Sequence, residues 1–319
     1  MSERFSAPRA GLLLAVVALG IGAGALFIGP VLEGERAAFV LLELRLPRVL
    51  AGALVGATLS LVGAVFQGLF HNALASESTI GTTAGATLGA LVALSFNVAG
   101  RLEGLPIVVL AAFSGALLAS LIVAAAAQSL RARTDDVLLA GIAVTLASSA
   151  ISSGLQYSSD APKLFAAAQW SLGHLPQVGY GGVLVLLPFV VPCAGLLLLL
   201  TRGLQAIAIG EETAHSQGVD VRRLRTFALA LGSLGVAACV AWCGPIAFVG
   251  LVVPHLIRGL VGPLLRNVLP LSLIGGAGFL MGCDALARLV LPGQELPVGV
   301  VTAALGAPAL VLILIQRRA

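Results

Sequence analysis

Apolar runs with almost no Asp, Glu, Lys or Arg recur along this chain, parted by short polar breaks. Their spacing predicts its elements. Candidate spans fall at 10–32, 49–70, 79–98, 105–128, 137–155, 182–201, 226–243, 246–257, 269–287 and 297–315. About 20 helical residues cross the roughly 30 Å hydrocarbon core of a bilayer. The eighth run, Ile246–Ile257, is too short to cross alone. Framed by Gly244-Pro245 and the Pro254-His255 break, it predicts a bent or partial crossing. None of the runs alternates apolar with polar residues, so a transmembrane barrel is excluded. The expected fold is all-α: a polytopic membrane helical bundle of about ten transmembrane helices, forming a single domain over residues 1–319.

Composition agrees with that pattern. Of 319 residues, 59% are hydrophobic and 10% charged, against about 45–50% and about 25% in ordinary soluble domains. A soluble enzyme, a nucleic-acid binder and a disordered chain are therefore excluded. The net charge of +4 reads as topology. With the N-terminus placed in the cytoplasm, alternate breaks collect 12 of the 18 basic residues on the cytoplasmic side. Six remain outside: Arg36, Arg45, Arg48, Arg101, Lys163 and Arg288. That bias obeys the positive-inside rule and expects both termini in the cytoplasm. The first run, Ala10–Val31, is too long for a signal-peptide core and is expected to be the first span. Small residues recur every fourth position at Gly52 and Gly56, at Gly81, Gly85 and Gly89, and at Gly299, Ala303 and Ala307. Such spacing predicts close helix crossings in lipid.

Chemistry is sparse. The only charges expected within the spans are Asp284 and Arg288, near the outer end of the ninth. An ion-coupled transporter usually buries ionisable groups mid-membrane, so that class is disfavoured. Cys193, Cys239, Cys243 and Cys283 lie in apolar runs without metal-ligand spacing, and read as buried thiols. His71, His174, His215 and His255 fall in breaks or at span edges, far apart in sequence. No catalytic set, metal site or cofactor motif is expected, and no phosphate-binding loop is present. Any ATP chemistry must come from a partner. The most informative segment is RGLQAIAIGEETAHSQGVDVRRLR, residues 202–225. It holds two short helical patterns broken at Gly210 and Gly218. It is also far longer than the 2–8 residues usual between bundle helices, which points to a docking surface for a cytoplasmic protein.

The pattern Gly210-Glu211, Ala214 and Gly218-Val219 resembles the cytoplasmic coupling segment of the ABC importer permeases for iron-siderophores, haem and vitamin B12, the FecCD family. Other motifs follow in the right order: Leu44-Arg45-Leu46-Pro47-Arg48, the run Gly63–Ala75, Leu138–Gly141, Gly250–His255 and Glu295–Thr302. The resemblance covers nearly all of the chain after the first span. It implies a type II ABC importer permease, acting as a homodimer with two cytoplasmic ATP-binding subunits and an extracytoplasmic substrate-binding protein. The chain would be a multi-pass protein of the bacterial cytoplasmic (inner) membrane, in contact with membrane lipid and with no nucleic acid, cofactor or catalytic role of its own.

By the same resemblance, Gly210, Glu211, Ala214 and Gly218 serve ATPase coupling. Asn72 and Leu74, with Arg133 and Thr134 before the fifth span, form a cytoplasmic gate. Arg45, Arg48 and Arg288 dock the binding protein, as bidentate arginine forks suit carboxylates. The fifth and tenth spans would line a pathway at the dimer interface. Three positions depart from the family pattern. Ala73 stands where proline is usual, Arg133 where the vitamin B12 permeases carry a small polar residue, and Gln217 where leucine is usual. The competing reading is an ion-coupled secondary transporter without an ATPase; a third is an intramembrane enzyme. Nothing in the sequence distinguishes a corrinoid, haem or ferric siderophore as cargo.

Overall fold

A computed structural model describes residues 6–29, 35–98, 100–102, 105–129, 134–177, 179–291 and 294–316. Backbone polar groups have no water to bond in lipid, so an apolar run must satisfy them internally, and a helix does this. The described chain is accordingly helical: α1 (Ala7–Phe27), α2 (Glu35–Phe39), a π-helical turn (Val40–Arg45), α3 (Leu46–Leu69), α4 (Thr82–Ser95) and α5 (Ile107–Ser129). There follow α6 (Thr134–Tyr157), α7 (Ala161–Ser171), α8 (Gly181–Leu199), α9 (Thr201–Ile209) and α10 (Glu211–Ser216). The last four are α11 (Val221–Cys243), α12 (Val249–Val261), α13 (Leu265–Ala287) and α14 (Val298–Gln316). A two-stranded antiparallel hairpin pairs Arg101–Leu102 with Leu105–Pro106.

The ten predicted spans each find an apolar helix. Seven are long and apolar enough to cross a membrane, while α4, α12 and the apolar part of α14 are shorter. The molecule is thus an all-α polytopic membrane bundle. Two spans differ in detail from expectation. At 14 residues, α4 reaches only about 21 Å, because Gly81 at φ +84° starts it late and Asn97 at φ +51° turns the chain after it. The expected break at Pro254-His255 is absent: α12 continues through Pro254, and His255 is buried within it. Proline has no N–H to give the carbonyl one turn back, here that of Gly250. That carbonyl packs against Gly63 of α3, where any Cβ would collide with it.

The chain clusters into two compact units. One comprises residues 1–64, 174–201 and 246–319. In it α13 packs against α1, α12 and α14. Ala18, Ala25, Val49, Met281 and Ala285 form a core cluster. Gly56 and Gly276 meet so closely that a Cβ on either would strike the other's carbonyl oxygen. The other unit comprises residues 65–173 and 202–245. Here α4 packs on α5, α6 and α11, and α11 also packs on α5. Gly85 and Gly115 repeat the reciprocal approach, a Cβ on Gly85 falling 2.5 Å from the Gly115 carbonyl oxygen. The fourfold small-residue spacing at Gly56, Gly85 and Gly89 thus marks real crossings.

Candidate functional site

Three arginines expected on one face come together in the first unit, joined to two carboxylates. The π-helical turn delivers Arg45, and the first turn of α3, opened by Pro47, delivers Arg48. Arg48 is 5% exposed. Its Nε donates to Asp284 Oδ1 at 3.0 Å, and Nη2 lies 2.9 Å from the same oxygen. Its Nη1 donates to Glu295 Oε2 at 2.7 Å. Asp284, buried in the last turn of α13, also pairs with Arg288 one turn on, at 3.1 Å from Oδ2. Gln177 Nε2 holds the second Glu295 oxygen at 3.1 Å.

Two further guanidinium donors close the end of α1. Arg45 Nη1 donates to Leu26 O at 3.0 Å and Arg288 Nη1 to Ile28 O at 3.2 Å, carbonyls that the end of a helix leaves without intrahelical partners. Three guanidiniums against two carboxylates leave the cluster one positive charge in excess. A pocket of about 330 Å³ opens beside it, lined by Arg45, Gln177, Arg288 and Glu295 among others.

In the second unit, the chain after α3 forms a bonded turn. Asn72 Oδ1 accepts from Leu74 N–H at 2.9 Å, and Asn72 O accepts from Ala75 N–H at 3.1 Å. This side-chain turn holds the loop at Ala73, where proline is usual, without needing that ring. Leu74 is 46% exposed. Beyond it, Thr79 Oγ1 donates to Ser76 O at 2.8 Å and accepts from Ser76 N–H at 3.0 Å. Glu77 lies buried in this loop with Oε2 unbonded, and burial pushes its carboxyl up to about 7.

The 202–225 segment folds as its glycines predict. Between α9 and α10 lies Gly210, and just past the C-cap of α10 lies Gly218, whose φ of +76° suits a residue without Cβ. Val219 N–H returns to Ala214 O at 3.0 Å, sealing that end. Ala214 is buried, and Asp220 caps α11 by accepting from Arg223 N–H at 3.0 Å. Glu211, half-exposed, pairs with Arg225. The exposed residues of the segment include the acidic first turn of α10, Glu211 and Glu212, together with His215, Gln217, Arg222 and Arg223.

Of the expected gate residues, Asn72 and Leu74 share one turn. Arg133 lies outside the described residues, and Thr134 is placed only as the first residue of α6. Sequence reasoning left out Glu295 as a partner of the arginines, although it sits in the motif Glu295–Thr302. It gave no role to Gln177, to Glu77, or to His71, whose Nε2 lies 2.8 Å from Ile207 O.

Comparison with known proteins settles the kinship. The FecCD transport family matches residues 11–316. The chain is 39% identical to the cobalamin import system permease protein BtuC of Halobacterium salinarum, over 89% of this chain and 75% of that one. It is 37% identical to the hemin transport system permease protein HmuU of Yersinia pestis, over 87% and 83%. It is 34% identical to the Fe(3+) dicitrate transport system permease protein FecD of Escherichia coli, over 89% and 88%. A solved structure of a metal-chelate type ABC transporter, in an inward-facing conformation, superposes with a TM-score of 0.87 at 29% identity, covering 98% of this chain and all of that one. Motifs, helices and relatives agree: the chain belongs to the FecCD transport family.

Proposed function

We propose that the chain is the transmembrane permease subunit of an ATP-driven importer that moves a metal chelate across the cytoplasmic membrane. The observation that carries this reading is the match along almost the whole chain to relatives named as permeases for cobalamin, hemin and Fe(3+) dicitrate. Those cargoes share a metal held in an organic ligand, so the substrate class is a corrinoid, haem or ferric siderophore. Residues 1–319 act as one permease domain, and two copies form the working dimer. Two ATP-binding subunits supply hydrolysis, docking on residues 202–225 through Gly210, Glu211, Ala214 and Gly218. Asn72, Leu74, Arg133 and Thr134 narrow the cytoplasmic mouth. An extracytoplasmic binding protein docks on the face built around Arg45, Arg48 and Arg288.

Coupling follows a general rule: a ligand moves an equilibrium only by its differential affinity for the two states. ATP closes the ATPase pair, and the closed pair favours one arrangement of the permease. The test is uptake into vesicles holding the dimer, its ATP-binding subunits and its binding protein, with cobalamin, haemin and a ferric siderophore offered separately. ATP-dependent uptake of one of them supports the reading. Uptake that persists without the ATP-binding subunits and follows an ion gradient overturns it in favour of secondary transport.

A further inference from the structure

The last carbonyls of a helix lack intrahelical donors. At the end of α9, Gly210 N–H returns to Ala206 O at 3.2 Å. The Ile207 carbonyl instead meets the ring of His71, with Nε2 at 2.8 Å. A carbonyl oxygen only accepts, so Nε2 carries the hydrogen and donates it. His71 holds φ at +48°, a left-handed backbone uncommon for a residue with a side chain. It directly follows the last turn of α3, where a left-handed residue commonly turns the chain off a helix. The residue is exposed, so its ring is not there to fill a core. The next residue, Asn72, begins the turn that presents Leu74.

We propose that His71 is a positioning residue that ties the α9–α10 segment to the Asn72–Leu74 turn. The inference rests on the permease reading, in which the first of these receives the ATPase and the second narrows the pathway. Leu204, Ala206 and Ile207 are buried on one face of α9, so the helix moves as a packed body. A displacement of its C-terminal end carries the Ile207 carbonyl, and through His71 the backbone from which the turn springs. Without the ring's donor, α9 and the turn lose that direct link, and nucleotide-driven motion reaches the turn less completely.

The test uses the full complex with ATP-binding subunits and binding protein, and compares His71→Leu with His71→Gln, which keeps an N–H donor. The readout is substrate transported per ATP hydrolysed, with the thermal midpoint as a check on folding. Removing the donor should lower that ratio about fivefold, the equilibrium effect of one net hydrogen bond. Glutamine should restore most of it, which mere packing would not require. If leucine lowers the midpoint, His71→Phe, which keeps a ring without the donor, decides the matter. A leucine or phenylalanine variant that couples like wild type overturns the proposal, as does a glutamine variant that fails as badly as leucine. In either case normal ATP-dependent uptake by the wild type leaves the permease reading standing. Wild-type complex without such uptake sinks that reading itself.

Discussion

Asp284→Asn is the sharpest single perturbation of the arginine cluster. Asp284 is 2% exposed and is shared by Arg48 and Arg288. Removing its charge leaves three guanidiniums facing Glu295 alone, so the excess rises from one positive charge to two. Breaking a buried pair by deleting one partner typically destabilises by about 3–5 kcal/mol, because the other charge stays buried and uncompensated. Glu295→Gln is the contrast. Its side chain is 51% exposed, and its loss leaves buried Arg48 still paired with Asp284, so the cost should stay near the roughly 1 kcal/mol of a solvent-screened pair.

Cys283 offers a local reporter, being a buried free thiol next to Asp284 in α13. In a background where Cys193, Cys239 and Cys243 are replaced, pulse labelling of Cys283 in detergent measures opening of that end of the helix. Asp284→Asn should accelerate labelling by roughly two to nearly four orders of magnitude, and Glu295→Gln by no more than about fivefold. Labelling of Asp284→Asn no faster than that of Glu295→Gln would refute the claim that Asp284 is the keystone.

Glu77 holds its proton up to about 7, against 4.5 for an ordinary glutamate. The folded state therefore binds more protons between those values, and stability should fall by about 3 kcal/mol as pH rises from 4.5 to 7, then level off. Thermal melts of Glu77→Gln should lack that slope. Gly276→Ala should destabilise by about 1–3 kcal/mol through overpacking, whereas Gly24→Ala, with open space around it, should be close to neutral in the same SDS-unfolding assay. Glu211→Arg should leave the dimer folded yet lower binding-protein-stimulated ATP hydrolysis, and unchanged stimulation would remove Glu211 from the coupling site. Arg45→Gln should slow capture of the binding protein and flatten its salt dependence in stopped-flow mixing; capture at the wild-type rate at every salt concentration would leave Arg45 as an anchor for α1 alone.

What could be read from the sequence was what is local. The spans declare themselves because each is one continuous apolar run. The α9, Gly210, α10, Gly218 order is visible because glycine punctuates over three or four residues. The π-helical turn at Val40–Arg45 and the short α7 gave no such signal; one lies beside a span, and the other lacks a span's length. The pairings that define the arginine cluster were hidden for a different reason. Arg48 and Asp284 stand 236 residues apart, and Arg48 and Glu295 stand 247 apart. No periodicity in one chain reports a contact at that separation. Asp284 and Arg288, four apart on one helix, were the exception, since that spacing puts both on one face. His71 and Ile207, 136 apart, were equally invisible, although His71 falls within a motif that drew attention for its neighbours.

Counting basic residues by side treats each as spare charge, and the structure shows how far that simplifies. Of the six on the minority side, Arg45 and Arg288 give donors to the end of α1, and Lys163 Nζ gives one to Ser95 O at the end of α4, at 3.0 Å. A helix C-terminus carries partial negative charge, so a cation there is stabilising whatever lies outside the membrane. Arg48 answers to Asp284 and Glu295. An acidic partner arriving on the proposed docking face would therefore meet a single excess positive charge and not three. Its carboxylate must either add to that excess beside Arg45, or displace half-exposed Glu295 from Arg48 and free the loop before α14. The first route predicts the weak salt dependence of one charge. The second predicts that neutralising Glu295 strengthens docking while loosening Gln177, whereas an uncommitted arginine patch would give the steep salt dependence of three charges and leave Gln177 untouched.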